Sequence, residues 1–137
     1  MRVDSTAIDA PIHEPSDNTL LWDAMRIMVR LLYRAQELSG APELIWRNHS
    51  RVAKKRARTI RYIRGKEKRA ALYKDLVRVS EDTLGYVRQA LLQLTAAHAF
   101  GIGFEQWLAQ VEHYTPLIER VIDQTKRRVF AGEKVPA

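Results

Sequence analysis

The chain has 137 residues, of which 46% are hydrophobic and 28% are charged, a composition typical of one globular domain. Because it contains no cysteine, disulfides, thiolate metal sites and cysteine nucleophiles are excluded. No apolar run approaches the roughly 20 residues that a membrane helix needs, and the N-terminal residues lack an apolar signal region. We therefore expect a soluble, cytoplasmic protein with no membrane partner.

The formal net charge of +7 is distributed unevenly along the chain. Residues 44–78 contain 13 Lys or Arg against two acids, Glu67 and Asp75, whereas the rest of the chain contains ten bases and 14 acids. One strongly basic segment on an otherwise slightly acidic chain is typical of a surface that binds a polyanion.

Residues 1–17 are predicted to form an extended segment. The stretch VDSTAID favours a strand, and Pro11 and Pro15 prevent a helix from running through the segment. The chain offers no partner strand, although a lone strand leaves its backbone groups unpaired. Ser16, Asp17 and Thr19 are candidate N-caps for the helix that follows.

Two amphipathic helices are predicted next. The first spans about 18–38 and ends before Gly40 and Pro42, and the second spans about 43–63. Gly65 and the charged run KEKR after it are expected to link the second helix to the third. The predicted buried positions are Leu20, Ala24, Ile27, Leu31, Ala35 and Leu38 in the first helix, and Trp46, Ala53, Ala57 and Ile60 in the second.

Two longer helices complete the prediction. The third spans about 70–97, although Gly85 costs about 1 kcal/mol relative to Ala within it. The fourth spans about 104–129, with Pro116 expected to kink it. The predicted buried positions are Leu72, Leu76, Val79, Thr83, Val87, Ala90, Leu94 and Ala97, followed by Phe104, Leu108, Val111, Thr115, Ile118, Ile122, Thr125 and Val129.

These elements predict an all-α fold, in which about four long helices form an antiparallel bundle preceded by a short extended segment. We divide the chain into the extended segment at 1–17, a helical domain at 18–132 and a tail at 133–137.

The basic residues of the second helix are the strongest chemical signal. Five of them fall within about 80° of one another around the helix, and no acid occurs from 44 to 66 to pair with them. Bases at helical spacing neutralise successive phosphates, which predicts contact with nucleic acid; the alternative is a solvated helix face. The candidate nucleic-acid-binding residues are Arg47, Arg51, Lys54, Lys55, Arg58, Arg61, Arg64, Lys66, Lys68 and Arg69.

Four further side chains lie among these bases. Arg56 is expected to widen the positive surface, and Trp46, His49 and Tyr62 are candidates to stack on a base or contact a sugar.

Other chemistries have weaker support. The four histidines have no metal-ligand spacing, no glycine-rich phosphate loop is present, and Ser5 and Thr6 have no recognisable catalytic triad. The N-terminal acids are candidate Mg²⁺ ligands, but their spacing favours caps and turns. They are Asp4, Asp9, Glu14 and Asp17.

Three short motifs stand in residues 2–32: DST at 4–6, IHEPSD at 12–17 and LLWD at 20–23. With HYTPLIERVIDQTKRRVFAGEKVPA at 113–137, they resemble DDE-type transposases of bacterial insertion sequences, in the group not yet classified. The resemblance extends through nearly all of the chain, and the N-terminal motifs are its most specific part.

The resemblance implies an RNase H-like core in which a DDE triad binds two Mg²⁺ or Mn²⁺ ions for phosphodiester transfer. It implies that Asp4, which matches the first catalytic Asp, is a catalytic and metal-binding residue, and that the helices are inserted after the first strand. Asp17 and Asp23 match recurrent acids of the family, for which we expect structural roles. The second Asp and the Glu of the triad have no match, so we expect a catalytically incomplete fragment that binds no metal stably.

Three hypotheses about function stay open. The first is a DNA-binding transposase fragment that forms a homo-oligomer or assembles with the full-length transposase. The second is a stand-alone basic helical protein that binds nucleic acid without catalysis. The third is a helical interaction domain whose positive face meets an acidic protein or lipid.

Overall fold

A computed structural model describes residues 16–39 and 44–130 of the chain. Within those residues every secondary-structure element is helical, which confirms the all-α class. The extended segment lies outside the described residues except for Ser16 and Asp17, and the antiparallel order of the helices stays a prediction. The helices are α1 at Asp17–Ser39, α2 at Ser50–Tyr62, α3 at Lys66–Ala96 and α4 at Ile102–Thr125, with a π-helical turn at Lys126–Phe130 after α4.

Helix α1 is the central element, because it packs against α2, α3 and α4. With neighbours on several sides, it buries a wider surface than a single stripe, and Leu21, Met28 and Leu32 are fully buried. The predicted stripe was therefore only partly right. Ala24, Leu31 and Ala35 are buried as predicted, whereas Leu20, Ile27 and Leu38 are half-buried.

Helix α2 begins at Ser50, so the predicted start near 43 was wrong. Residues 44–49 are not helical, and Leu44 at their start is buried in the core. The backbone N–H of Ser50 donates to Oδ1 of Asn48 at 2.8 Å. Such a local bond from an Asn side chain competes with helix geometry and favours a helix start at this point.

Helix α3 begins at Lys66, four residues before its predicted start. The break before it is short because Gly65 has a φ of 101°, a conformation that glycine adopts without the clash of a Cβ. The KEKR run is thus the first turn of α3 rather than a linker. Gly85 does not interrupt the helix, since it is exposed and touches no neighbouring element.

Helix α4 packs against α1 and α3 and contains Pro116. Its Trp107 is 1% exposed, and the indole Nε1 donates to the backbone oxygen of Leu31 at 2.8 Å. An ion pair between Arg88 and Glu119 joins α4 to α3 at the surface. None of the described helices is both long and apolar enough to cross a membrane.

Candidate nucleic-acid interface

Helix α2 is held against the core by small side chains on one face. Ala53, Ala57 and Ile60 are buried at the spacing of one helical stripe. The buried Asn18 of α1 donates from Nδ2 to the backbone oxygen of Ala57 at 2.9 Å, which joins α1 to α2. With this face inward, the opposite face of α2 is turned to solvent.

All ten candidate binding residues are exposed. Five of them lie on α2, between Arg51 and Arg61, while Arg47 precedes this helix and Arg64 follows it. The remaining three, Lys66, Lys68 and Arg69, lie in the first turn of α3. None of the ten forms an ion pair with a carboxylate of the part of the chain that the structure describes. We call this surface the basic face; its members are Arg47, Arg51, Lys54, Lys55, Arg58, Arg61, Arg64, Lys66, Lys68 and Arg69.

Arg56 does not belong to the basic face, which corrects the expectation that it widens the positive surface. Its Nε donates to Oδ2 of Asp75 on α3 at 2.6 Å, and both side chains are partly buried. Arg78 donates to the other carboxylate oxygen of Asp75, also at 2.6 Å. These two guanidinium groups lower the pKa of Asp75, with the hydrogen bond from Arg56 as the larger cause.

The first turn of α3 has an unfavourable charge distribution for helix stability. Lys66, Lys68 and Arg69 lie at the positive end of the helix dipole, where Glu67 is the one acid. Cations at a helix N-terminus are disfavoured, by about 0.3–1 kcal/mol each at low salt. Arg69 offsets part of this by donating to the backbone oxygen of Ile63 at 3.0 Å. The positive charge at this turn is therefore not explained by helix stability.

The three aromatic candidates have different surroundings. Tyr62 is 72% exposed at the end of α2 and remains available to a ligand. Trp46 is half-buried and packs edge-on against Tyr33, with 4.9 Å between the ring centroids. The ring of His49 is stacked against that of Tyr86 on α3, with 6.2 Å between the ring centroids.

Trp22 was missed by the sequence analysis as a candidate contact. It lies on α1, half-buried, and it shares a surface groove with Lys54, Arg58 and Arg61 of the basic face. The motif LLWD places Trp22 on a helix, but no helical spacing relates it to residues more than 30 positions away. Only the packing of α1 against α2 brings them together.

Of the acids named by the resemblance, Asp17 and Asp23 lie in the described residues. Asp4, the expected catalytic and metal-binding residue, lies outside the described residues. Asp17 is 7% exposed, and its Oδ1 accepts from Nη1 of Arg128 at 3.2 Å. Asp23 is at the surface and pairs with Arg26. In residues 16–39 and 44–130, no three His, Asp or Glu side chains converge as a metal site would require.

No protein-family model, curated protein or solved structure matches the chain.

Proposed function

We propose that this chain binds DNA through the basic face. One observation carries the proposal: ten exposed cations follow one another from Arg47 to Arg69 without a carboxylate partner in the described residues. Such a set of like charges repels itself and attracts anions, and the phosphate backbone of a nucleic acid offers a row of anions that can neutralise several of them together.

The mode of binding follows from the residue types. Lys and Arg side chains that meet phosphates release counterions, so affinity depends steeply on salt. Phosphate contacts carry no base information, so binding has little sequence preference. An acidic protein or a lipid surface would also bind positive charge. The basic face is long and its charges are all positive, which suits a regular polyanion better.

We further propose that this binding serves DNA transposition, with the chain as the DNA-binding part of a DDE-type insertion-sequence transposase. The support is the resemblance of residues 2–32 and 113–137 to that family. Asp4 would be its metal ligand for Mg²⁺ or Mn²⁺. One carboxylate does not make a site for two hard cations, which need several oxygen ligands, so we derive no catalytic step for these residues.

Charge reversal on the basic face tests the DNA-binding proposal. Replacing Arg51, Lys54, Arg58 and Arg61 together by Glu should abolish binding to a fluorescent DNA duplex while the helical circular dichroism is retained. All four side chains are exposed, so their replacement leaves the core intact. Unchanged affinity in this variant would exclude DNA binding by the basic face.

A matched pair of variants separates location from net charge. Arg58→Glu with Arg61→Glu changes the charge by the same amount as Arg30→Glu with Arg120→Glu. Arg30 and Arg120 are also exposed, but they lie on α1 and α4 outside the basic face. We expect the first pair to weaken DNA binding much more than the second. Equal losses would mean that only the overall charge matters.

A further inference from the structure

A groove of about 180 Å³ lies between the first turns of α1 and the side of α2 where the basic face meets the buried Ala57. Lys54, Arg58 and Arg61 line it from α2, and Trp22 lines it from α1. This volume is below the roughly 300 Å³ at which sites for drug-sized ligands begin, so the groove suits a small group or one unit of a polymer.

The two walls of the groove are fixed relative to each other. Asn18, which is 4% exposed, lines the groove and donates to the backbone oxygen of Ala57 across it at 2.9 Å. A buried hydrogen bond of this kind keeps α1 and α2 at a constant separation. A ligand therefore meets a preformed site and does not have to order its walls.

The two walls of the groove differ in chemistry: the α2 wall is cationic and the α1 wall is aromatic. The three α2 cations are exposed and have no carboxylate partner among the described residues, so this wall attracts an anion. On the other wall is the half-buried Trp22. The guanidinium carbon of Arg26, which pairs with Asp23 and does not line the groove, lies over one face of this ring, 5.6 Å from the centroid. An aromatic ring beside several cations is the combination with which proteins bind unpaired nucleotides, the ring contacting the base and the cations the backbone.

We propose that this groove binds one unpaired nucleotide of a DNA strand. The base lies against Trp22, and the adjoining phosphates contact Lys54, Arg58 and Arg61. This rests on the proposed DNA binding and deepens it, because it names single-stranded or locally unpaired DNA as the preferred ligand. A base within an intact duplex is stacked on both faces and does not reach Trp22, so a blunt duplex makes phosphate contacts alone.

Three labelled DNAs of one sequence test the proposal by fluorescence anisotropy: a single strand, a blunt duplex and a duplex with a central bulge. The wild-type chain should bind the single strand and the bulged duplex more tightly than the blunt duplex. Trp22→Leu should weaken binding to those two by about tenfold and leave the blunt duplex nearly unchanged. Trp22→Phe should restore most of the loss, because a smaller ring still stacks.

Tyr114→Leu is the matched control. Tyr114 is also a half-buried aromatic residue, but it lies on α4 and lines a different groove. Its replacement should leave the preference for unpaired DNA unchanged. Equal effects of Trp22→Leu on all three DNAs, or effects no larger than those of Tyr114→Leu, would overturn the nucleotide groove and leave DNA binding standing. Absence of binding to every DNA would overturn both proposals.

A fluorescence measurement tests the same contact without altering Trp22. In a Trp46→Phe variant the remaining indoles are Trp22 at the groove and Trp107, which is 1% exposed in the core. Stacking of a base on Trp22 should quench the emission when single-stranded DNA is added. The blunt duplex should leave the emission nearly constant at equal saturation. Equal quenching by both DNAs, or none by either, would contradict the proposal.

Discussion

The guanidinium of Arg56 and the carboxylate of Asp75 join α2 to α3, with 2.6 Å between Nε and Oδ2. Arg56 is thereby directed toward the core side of α2, while its neighbour Lys55 is exposed on the basic face. Two adjacent cations on one helix thus have different roles, one in stability and the other in the proposed DNA contact.

Exchange of each residue for Gln should separate these roles. Arg56→Gln is expected to lower the free energy of unfolding by about 1–2 kcal/mol, because it removes a partly buried charged hydrogen bond. Lys55→Gln should change it by less than about 0.5 kcal/mol, as is usual at an exposed position. Urea unfolding followed by circular dichroism measures both. DNA affinity should fall for Lys55→Gln and stay near wild type for Arg56→Gln; the reverse order would contradict the assignment.

The lowered pKa of Asp75 predicts a dependence of stability on pH. The unfolded-state pKa of an Asp is about 3.9, and the folded-state pKa lies below it because Arg56 and Arg78 bind the ionised form. The stabilisation is therefore complete above the unfolded-state pKa and is lost as the pH falls through the folded-state pKa. The stability difference between wild type and Asp75→Asn should shrink between neutral pH and strong acid. Glu112→Gln, an exchange at an exposed position, is the control.

The salt dependence of DNA affinity should report how many cations of the basic face meet phosphates. The logarithm of the association constant should fall linearly with the logarithm of salt concentration, with a slope of about −0.9 for each phosphate contacted. Removing Arg58 alone, as Arg58→Gln, should reduce the magnitude of the slope by about 1. A slope near zero for wild type would show that the basic face is a solvated surface.

The hydrogen bond from Asn18 to Ala57 should be needed both for stability and for the groove. Asn18→Ala leaves the buried Ala57 oxygen without this donor and is expected to cost about 1–2 kcal/mol of unfolding free energy. Because the groove walls are then less constrained, affinity for single-stranded DNA should fall more than affinity for a blunt duplex. Thr115→Ala, at a half-buried position on α4 outside the groove, should affect both measurements less.

Catalysis by these 137 residues is not expected. Two-metal phosphoryl transfer needs several carboxylates around ions about 4 Å apart, and the proposed transposase relationship would assign one of them, Asp4, to this chain. Incubation of labelled DNA with the chain and Mg²⁺ or Mn²⁺ should give no strand cleavage. Cleavage that disappears in Asp4→Asn would show instead that the chain contains a full set of ligands.

Hydrophobic periodicity was sufficient to predict the helices. The first helix was predicted at 18–38 and found at Asp17–Ser39. Its extent was predictable because apolar residues recur at helical spacing over more than five turns. Helix starts were harder. The hydrogen bond to Asn48 lies at the start of α2, and Gly65 with its positive φ lies at the start of α3. Hydrophobic periodicity does not predict such local interactions and backbone conformations.

The sequence by itself determined that residues 16–39 and 44–130 are mainly helical and that the positive charge is concentrated between 44 and 78, because both follow from residue type and spacing. Tertiary structure decided which cations face outward. Arg56 is partly buried in an ion pair because α3 brings Asp75 to it across 19 positions of sequence. Packing of α1 on α2 likewise places Trp22 beside Lys54, Arg58 and Arg61. Spacing along one helix predicts the neighbours on that helix, whereas contacts between helices depend on how their buried faces fit together.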